Sequence, residues 1–262
     1  MKTPYISIIT VTKNAEKTIE RTIESVKKQD YHDHEHIIID AASDDATISY
    51  VRFYAEKYSV KYLSEPDRGI ADAFNKALSL SSGQWILFIG SGDELIHPGV
   101  LSHMHSILKD HEDLLIVWGN VIFKDIKGRT GQRYRGNFSR YMLKVFMCFS
   151  HQSIFHNRAL FDRYGLFDEE IKIAMDYDIL LRAYNEIKNG YIDYDIAYML
   201  IGGQSQYSAK KAVKDMLKVQ LKHKVTPVPV AYGIYYWTLF KVKIKNIMGY
   251  STTFGFKRPY KG

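Results

Sequence analysis

The chain has one cysteine, Cys148, in 262 residues. A lone thiol excludes an intramolecular disulfide and any zinc or iron–sulfur centre built on several thiolates, and it suits a reducing compartment. Six prolines and 17 glycines are too few for a collagen-like or low-complexity chain. No internal repeat is visible. Long hydrophobic runs are missing too. The longest, Val228 to Phe240, has 13 residues, short of the ~20 a helix needs to cross a bilayer. Met1-Lys2-Thr3-Pro4-Tyr5 leads straight into a strand-like segment with no apolar signal core. These absences point to a soluble, cytoplasmic globular protein. At 46% hydrophobic and 25% charged residues, the chain can bury one large domain, or one domain with an appendage.

The net charge of +7 is unevenly spread. Residues 209–262 hold 12 Lys and Arg against one acid, Asp215, whereas the preceding 208 residues hold 24 against 28. A mildly acidic body therefore ends in a strongly basic, aromatic tail. Such asymmetry predicts a tail that meets something anionic.

The first ninety residues alternate strand and helix. Strands are predicted at Tyr5–Val11, His36–Asp40, Val60–Leu63 and Trp85–Ile89. Between them lie amphipathic helices: one capped by Asn14 with Ile19, Ile23 and Val26 inward, one through Ile48, Val51 and Tyr58, and one from Ile70 to Leu78 with Gly83 as its C-cap. This order implies βαβ units and a mostly parallel sheet covered on both faces. Beyond it, Leu114–Trp118, Val121–Phe123, Gln132–Arg135, Gln152–Phe155 and Tyr191–Ile201 read as further strands, and Ala209–Lys224 as a helix.

Ligands of an open α/β sheet sit outside the carboxyl ends of its strands. The residues following the four strands are Thr12-Lys13-Asn14, Ala41-Ala42-Ser43-Asp44-Asp45, Ser64-Glu65-Pro66-Asp67-Arg68-Gly69 and Gly90-Ser91-Gly92-Asp93-Glu94. Carboxylates repel phosphates unless a divalent cation stands between them, so acidic tips suggest a metal–diphosphate ligand. The first turn has no glycine, which argues against a dinucleotide fingerprint, and a P-loop is absent. Asp44 and Asp45 read as helix caps, and Asp178, four residues before Arg182, as a structural ion-pair partner.

Several blocks together carry a family resemblance. Ile6-Ser7-Ile8-Ile9-Thr10-Val11-Thr12-Lys13-Asn14, Ile39-Asp40, Glu65-Pro66-Asp67-Arg68-Gly69-Ile70-Ala71-Asp72 and Gly83-Gln84-Trp85-Ile86-Leu87-Phe88 stand in order. His151-Gln152-Ser153, Gly165-Leu166-Phe167-Asp168-Glu169, Met175-Asp176-Tyr177-Asp178 and Gly202-Gly203-Gln204-Ser205 follow. The chain over roughly 4–206 resembles family-2 glycosyltransferases of the GT-A fold, of the type that builds bacterial cell-surface polysaccharides. The resemblance implies a Rossmann-like, mostly parallel sheet, a GT-A domain over 1–208 and a basic helical extension over 209–262. It divides that domain into a nucleotide-binding half (1–95) and an acceptor and catalytic half (96–208).

It also implies roles. Thr10, Asn14, Asp40, Asp67, Arg68, Asp72 and Asp93 would bind the nucleotide-sugar, with Asp40 reading the base, uracil in a UDP-linked donor. Asp93 would hold Mn2+ or Mg2+, Asp176 would be the catalytic base, and His151, Gln152 and Arg182 would line the donor and acceptor cleft. Two positions depart from the family pattern. Gly92-Asp93 has one acid where a pair is usual, and Met175-Asp176 replaces a Glu-Asp pair.

The chemistry expected is transfer of a sugar, with inversion, to a hydroxyl of a glycan or lipid-linked acceptor. A non-catalytic sugar-nucleotide-binding or membrane-surface protein that keeps the fold is the competing reading. Lysines beside Tyr232, Tyr236, Trp237 and Phe240 in the tail suit an anionic membrane, which would place the protein peripherally on its inner face. The same face could instead pack on the body or form a homo-oligomer contact. The acidic body and the lack of a reader motif argue against nucleic acid.

Overall fold

The computed structural model describes residues 3–201 and 209–247, so the Gly202-Gly203-Gln204-Ser205 block lies outside the described residues. The strands are β1 (Ile6–Thr12), β2 (His34–Asp40), β3 (Val60–Ser64), β4 (Trp85–Gly90), β5 (Glu94–Leu95), β6 (Ile116–Lys124), β7 (Thr130–Tyr134), β8 (Ile154–Asn157) and β9 (Asn189–Leu200). The helices are α1 (Ile19–Lys27), α2 (Thr47–Lys57), α3 (Ile70–Leu80), α4 (Val100–Leu108), α5 (Arg140–Leu143), α6 (Arg158–Tyr164), α7 (Met175–Arg182), α8 (Ala209–His223) and α9 (Val228–Ile247). All the strands belong to one sheet in the order β3-β2-β1-β4-β8-β6-β9-β5, with β7 paired to β6.

The parallel half is β3-β2-β1-β4. Its inner strands β2, β1 and β4 are buried along almost their whole length because both faces are covered, whereas the edge strand β3 leaves Lys61 and Tyr62 exposed. Ile9, Ile86 and Phe88 face α3 and α7, while Ile8, Leu87 and Ile89 face α1 and α4. β8 enters antiparallel between β4 and β6, and β9 then runs parallel to β6. The second half is thus a mixed sheet continuing the first.

Three local expectations are corrected. α1 starts at Ile19 after Thr18, not at Asn14. Asn14 instead takes a left-handed φ of 49° and accepts a hydrogen bond from Asp44 N–H at 3.1 Å through its Oδ1. It ties the β1–α1 loop to the β2–α2 loop, a bend asparagine tolerates well. Gly83 is no C-cap, since α3 ends at Leu80. A Cβ there would stand 2.6 Å from the Ser7 backbone nitrogen, so close approach to β1 is what demands glycine. The two short strands expected around residues 114–123 are one strand, β6, whose register slips around Asn120. Gly119 and Asn120, between those two expected strands, serve a bulge: a Cβ on Gly119 would meet Tyr194 O at 2.6 Å, and the Asn120 amide donates to that same oxygen at 3.1 Å.

The basic tail begins as part of the body. Val219 is fully buried in the main core, and the Gln220 amide donates to Val145 O at 2.6 Å. Lys218 pairs with Glu170 and Lys222 with Asp168, so the acidic body neutralises some of the tail's charge internally. α9 packs against α8 through buried Ala231 and Val242. Among the described residues, no helix is long and apolar enough to cross a membrane.

Crowding at Gly83 is open to measurement. Gly83→Ala is expected to lower the unfolding free energy in urea by about 1–3 kcal/mol through overpacking. Gly233→Ala, in an open stretch of α9, should raise it by ~0.5–1 kcal/mol through helix propensity. Equal effects at the two positions would refute the assignment.

Candidate functional site

The parallel strands end level with one another. Thr12 lies opposite Asp40, Asp40 opposite Ser64, and Val11 opposite Gly90. Beyond these ends opens a cavity of about 740 Å³. Val11, Thr12, Lys13, Ala41, Asp67, Gly69, Ser91 and Asp93 form its strand-tip side, and His151, Gln152 and Asp176 reach it from the second half.

Asp93 sits in the turn after β4. Its Oδ2 accepts from Gly90 N–H at 3.1 Å and its Oδ1 from Leu200 N–H at 2.7 Å. Burial pushes its pKa up to about 6 against those hydrogen bonds. The neighbouring Glu94 turns away to Lys124 at 2.8 Å. Asp176 lies in the first turn of α7 and accepts from Tyr177 N–H at 2.8 Å. Burial again prevails over that bond and over the helix N-terminus, raising the carboxyl to about 6. Both cavity carboxyls are thus tuned toward neutral pH by desolvation.

His151 stacks on Phe88 with ring centroids 4.9 Å apart, and burial beside His156 drives its pKa well below 6.5, so the ring is neutral. Its Nε2 is buried without a hydrogen-bond partner among the described residues, as is Thr12 Oγ1. An unsatisfied buried polar atom costs about 1–3 kcal/mol, so two on residues of one cavity argue for a polar ligand.

Among the described residues, no three His, Cys, Asp or Glu side chains converge to enclose a metal ion. The donor set fits a cation only if most ligands come from elsewhere. Asp93 would supply one carboxylate, and diphosphate and water would supply the rest, as Mg2+-type ions accept.

Of the residues expected in the site, Asp67, Asp93, His151, Gln152 and Asp176 line this cavity. The others stand outside its lining. Thr10 is fully buried mid-strand, its Oγ1 bonded to His36 Nε2 at 3.0 Å. Thr12, at the strand end, lines the cavity in its place, a position the strand-end rule itself marks. Asp40 is fully buried; it accepts from Ser43 N–H at 3.0 Å and Ser64 Oγ at 2.7 Å. It braces the turn that presents Ala41. Asn14 holds two loops together, as described above. Asp72 accepts from Arg68 N–H at 2.9 Å at the start of α3, while Arg68 pairs with Asp72 at 3.2 Å and Glu169 at 2.7 Å. Arg182 donates to Asp178 at 2.9 Å and to the carbonyls of Tyr164 and Leu166 at 3.0 and 2.7 Å. Asp40 and Asp72 share one trait: a short charged side chain near a strand end or helix start satisfies backbone groups.

Sequence reasoning missed the cavity's apolar side, which includes Phe146, Met147, Phe149, Met199 and, from α8, Ala212 and Met216. Single apolar residues carry no motif, and α8 had been assigned to the extension.

Comparison with known proteins adds to this geometry. Residues 7–166 match the model of Glycosyl transferase family 2. The chain belongs to that family. It is 28% identical over 187 residues to a PGL/p-HBAD biosynthesis glycosyltransferase of Mycobacterium bovis, covering 71% of this chain and 72% of that protein. An uncharacterized glycosyltransferase of Mycobacterium tuberculosis is 30% identical over 185 residues, 69% of each chain. Among solved structures, S. aureus TarS 1-349 in complex with UDP-GlcNAc superposes with a TM-score of 0.67 at 20% identity, covering 90% of this chain and 71% of that one. A mannosyltransferase of Pyrobaculum calidifontis, in complex with GDP-Man and Mn2+, gives 0.63 at 18% identity, covering 93% and 76%. These neighbours establish the GT-A fold, and family membership makes the chain a transferase of sugars.

Two aspartates on one helix turn should respond oppositely to substitution. The folded pKa of Asp176 is raised, so stability is lost as pH climbs from about 4 to about 6, and the ionised group burdens the free fold at pH 7.5. Asp176→Asn should therefore stabilise the ligand-free protein by about 1–3 kcal/mol at that pH. Burial alone would raise the Asp178 carboxyl, but His223, Lys222 and Arg182 hold it well below the usual range. Asp178→Asn should destabilise by about 3–5 kcal/mol. Urea unfolding at pH 7.5 measures both, and two changes of the same sign would contradict this electrostatic reading.

Proposed function

We propose that the protein is an inverting glycosyltransferase that moves a sugar from a UDP-linked donor to a hydroxyl of a glycan or lipid-linked acceptor in cell-surface polysaccharide biosynthesis. The observation that carries this reading is the pairing of two burial-raised carboxyls, Asp93 and Asp176, across one cavity at the strand tips. The TarS complex with UDP-GlcNAc and the mannosyltransferase complex with GDP-Man and Mn2+ support a nucleotide-sugar donor.

In this reading the nucleotide-sugar lies along the strand tips, with Thr12 Oγ1, Lys13 and Asp67 toward it. Asp40 contributes by bracing the Ala41–Ser43 turn, and Arg68 and Asp72 by shaping the start of α3. A divalent cation at Asp93, Mn2+ or Mg2+, would supply Lewis-acid neutralisation of the departing diphosphate. Asp176, poised near neutral pH, takes the proton of the acceptor hydroxyl as that oxygen attacks the anomeric carbon. The neutral His151 Nε2 and the Gln152 amide orient the donor sugar or acceptor. A single displacement inverts the anomeric centre.

Donor hydrolysis with Mn2+ and UDP affinity test this together. Asp176→Asn should reduce turnover by at least about 100-fold, on the scale of a lost general base, with UDP affinity within about twofold. In the wild type, turnover should rise with pH through about 6 and level off above, because the base works ionised. Parallel loss of affinity and turnover would return Asp176 to a structural role and favour the non-catalytic reading.

The tail supports a peripheral location. α9 exposes Tyr236, Trp237 and Phe240 at 64%, 57% and 53%, with Lys241 and Lys243 beside them and no acid in the helix. Rings that enter headgroups next to cations suit an anionic bilayer surface. Full-length protein should sediment with phosphatidylglycerol vesicles and not with phosphatidylcholine vesicles, and Trp237→Ser/Phe240→Ser should abolish it. Sedimentation unchanged by that double substitution would remove α9 from the contact.

A further inference from the structure

The cavity is chemically two-sided. Its strand tips carry Thr12, Lys13, Asp67 and Asp93, and the second half adds His151, Gln152 and Asp176. Apolar side chains from three separate segments of the second half also line it: Phe146, Met147 and Phe149 before β8, Met199 at the end of β9, and Met216 on α8. Four of the chain's eight methionines, counting Met175, line this one space. Met147, Met199 and Met216 are only half-buried: they pack against the core and still line the concave space. Methionine is the side chain that moulds to apolar partners of varied shape.

The wall reaches the reacting groups. Met175 precedes Asp176 in the chain, and Leu200, next to Met199, donates its N–H to Asp93 at 2.7 Å. α8 is fastened where it closes the wall: Gln220 donates to Val145 O at 2.6 Å, and Thr226 Oγ1, just past α8, to Lys144 O at 3.0 Å. A hydroxyl-rich sugar chain leaving Asp176 in this direction would find no hydrogen-bonding side chain on these five residues. An apolar group would find five apolar side chains lining the cavity.

We propose that this wall is an aglycone subsite and that the acceptor is an amphiphile, whose reacting hydroxyl is carried on or beside an apolar alkyl or aryl group. The group lies on Phe146, Met147, Phe149, Met199 and Met216, and holds the hydroxyl toward Asp176. This rests on the glycosyl-transfer reading and names its acceptor class.

The test is direct binding of matched probes, methyl against hexyl β-glucoside and methyl against phenyl β-glucoside, by calorimetry on the full chain with and without UDP and Mn2+. The hexyl or the phenyl member should bind at least about tenfold tighter than methyl, the scale of a few buried methylenes. Met216→Gln and Met147→Gln, on separate segments of the wall, should each cut that ratio to below about threefold. Each ratio is taken within one variant, so a general loss of folded protein does not imitate the effect, and either variant alone decides if the other fails to fold. The arm that responds separates alkyl from aryl acceptors. Equal affinities within both pairs overturn the proposal. So does an advantage that persists in both variants, which would place binding on the exposed face of α9. Failure to bind UDP would sink the donor reading while leaving the probe ratios to judge the wall.

Discussion

The structure depends on the level ends of four parallel strands. Because helices cover both faces of the inner strands β2-β1-β4, their side chains are buried along almost the whole length and cannot meet a ligand there. Chemistry is left to the tips, where Thr12, Asp40 and Ser64 share a level and Gly90 lies beside Val11. Short loops there bond to one another, as Asn14 N–H to Ser43 Oγ at 2.8 Å and Ala15 N–H to Thr47 Oγ1 at 2.7 Å. The floor of the cavity is therefore rigid before any ligand arrives, which suits a site that works by positioning and electrostatics.

Carboxylates divide into two populations by their surroundings. Asp40, Asp72 and Asp178 are buried with several donors each and act as fasteners. Asp93 is buried and Asp176 partly buried beside the cavity, each with backbone donors and no cation in contact, and their protons are correspondingly hard to remove. Asp176 and Asp178 sit two residues apart on α7 and fall on opposite sides of this divide. α8 makes the difference, because Lys222 and His223 reach Asp178 at 3.0 and 2.8 Å. The basic helix thus belongs to the electrostatics of the body as well as to the cavity wall.

Much of this was readable in the residues. The βαβ order, the strand ends and the acids after them followed from periodicity, and Asp93, Asp176, His151 and Gln152 do converge. What sequence could not show was which polar groups would be consumed locally. Thr10 and Thr12 share a face of β1, and only pairing length decides that Thr12 reaches the cavity. Arg182 has four-residue spacing to Asp178, which foretold the ion pair, but its bonds to the Tyr164 and Leu166 carbonyls depend on how α6 packs. Gly83 reads as a helix C-cap because glycine's usual meaning is a stop, whereas there, as at Gly119, backbone proximity excludes a side chain. The methionine wall draws on segments more than sixty residues apart and exists only in three dimensions.

The account turns on what the strand tips hold. A crystal structure of the protein with UDP and Mn2+ tests it most directly. The diphosphate should lie between Thr12 and the cation, with an Asp93 oxygen bound to the metal and Asp176 still open to the cavity. UDP bound away from the strand tips, or a metal with no Asp93 ligand, would contradict it.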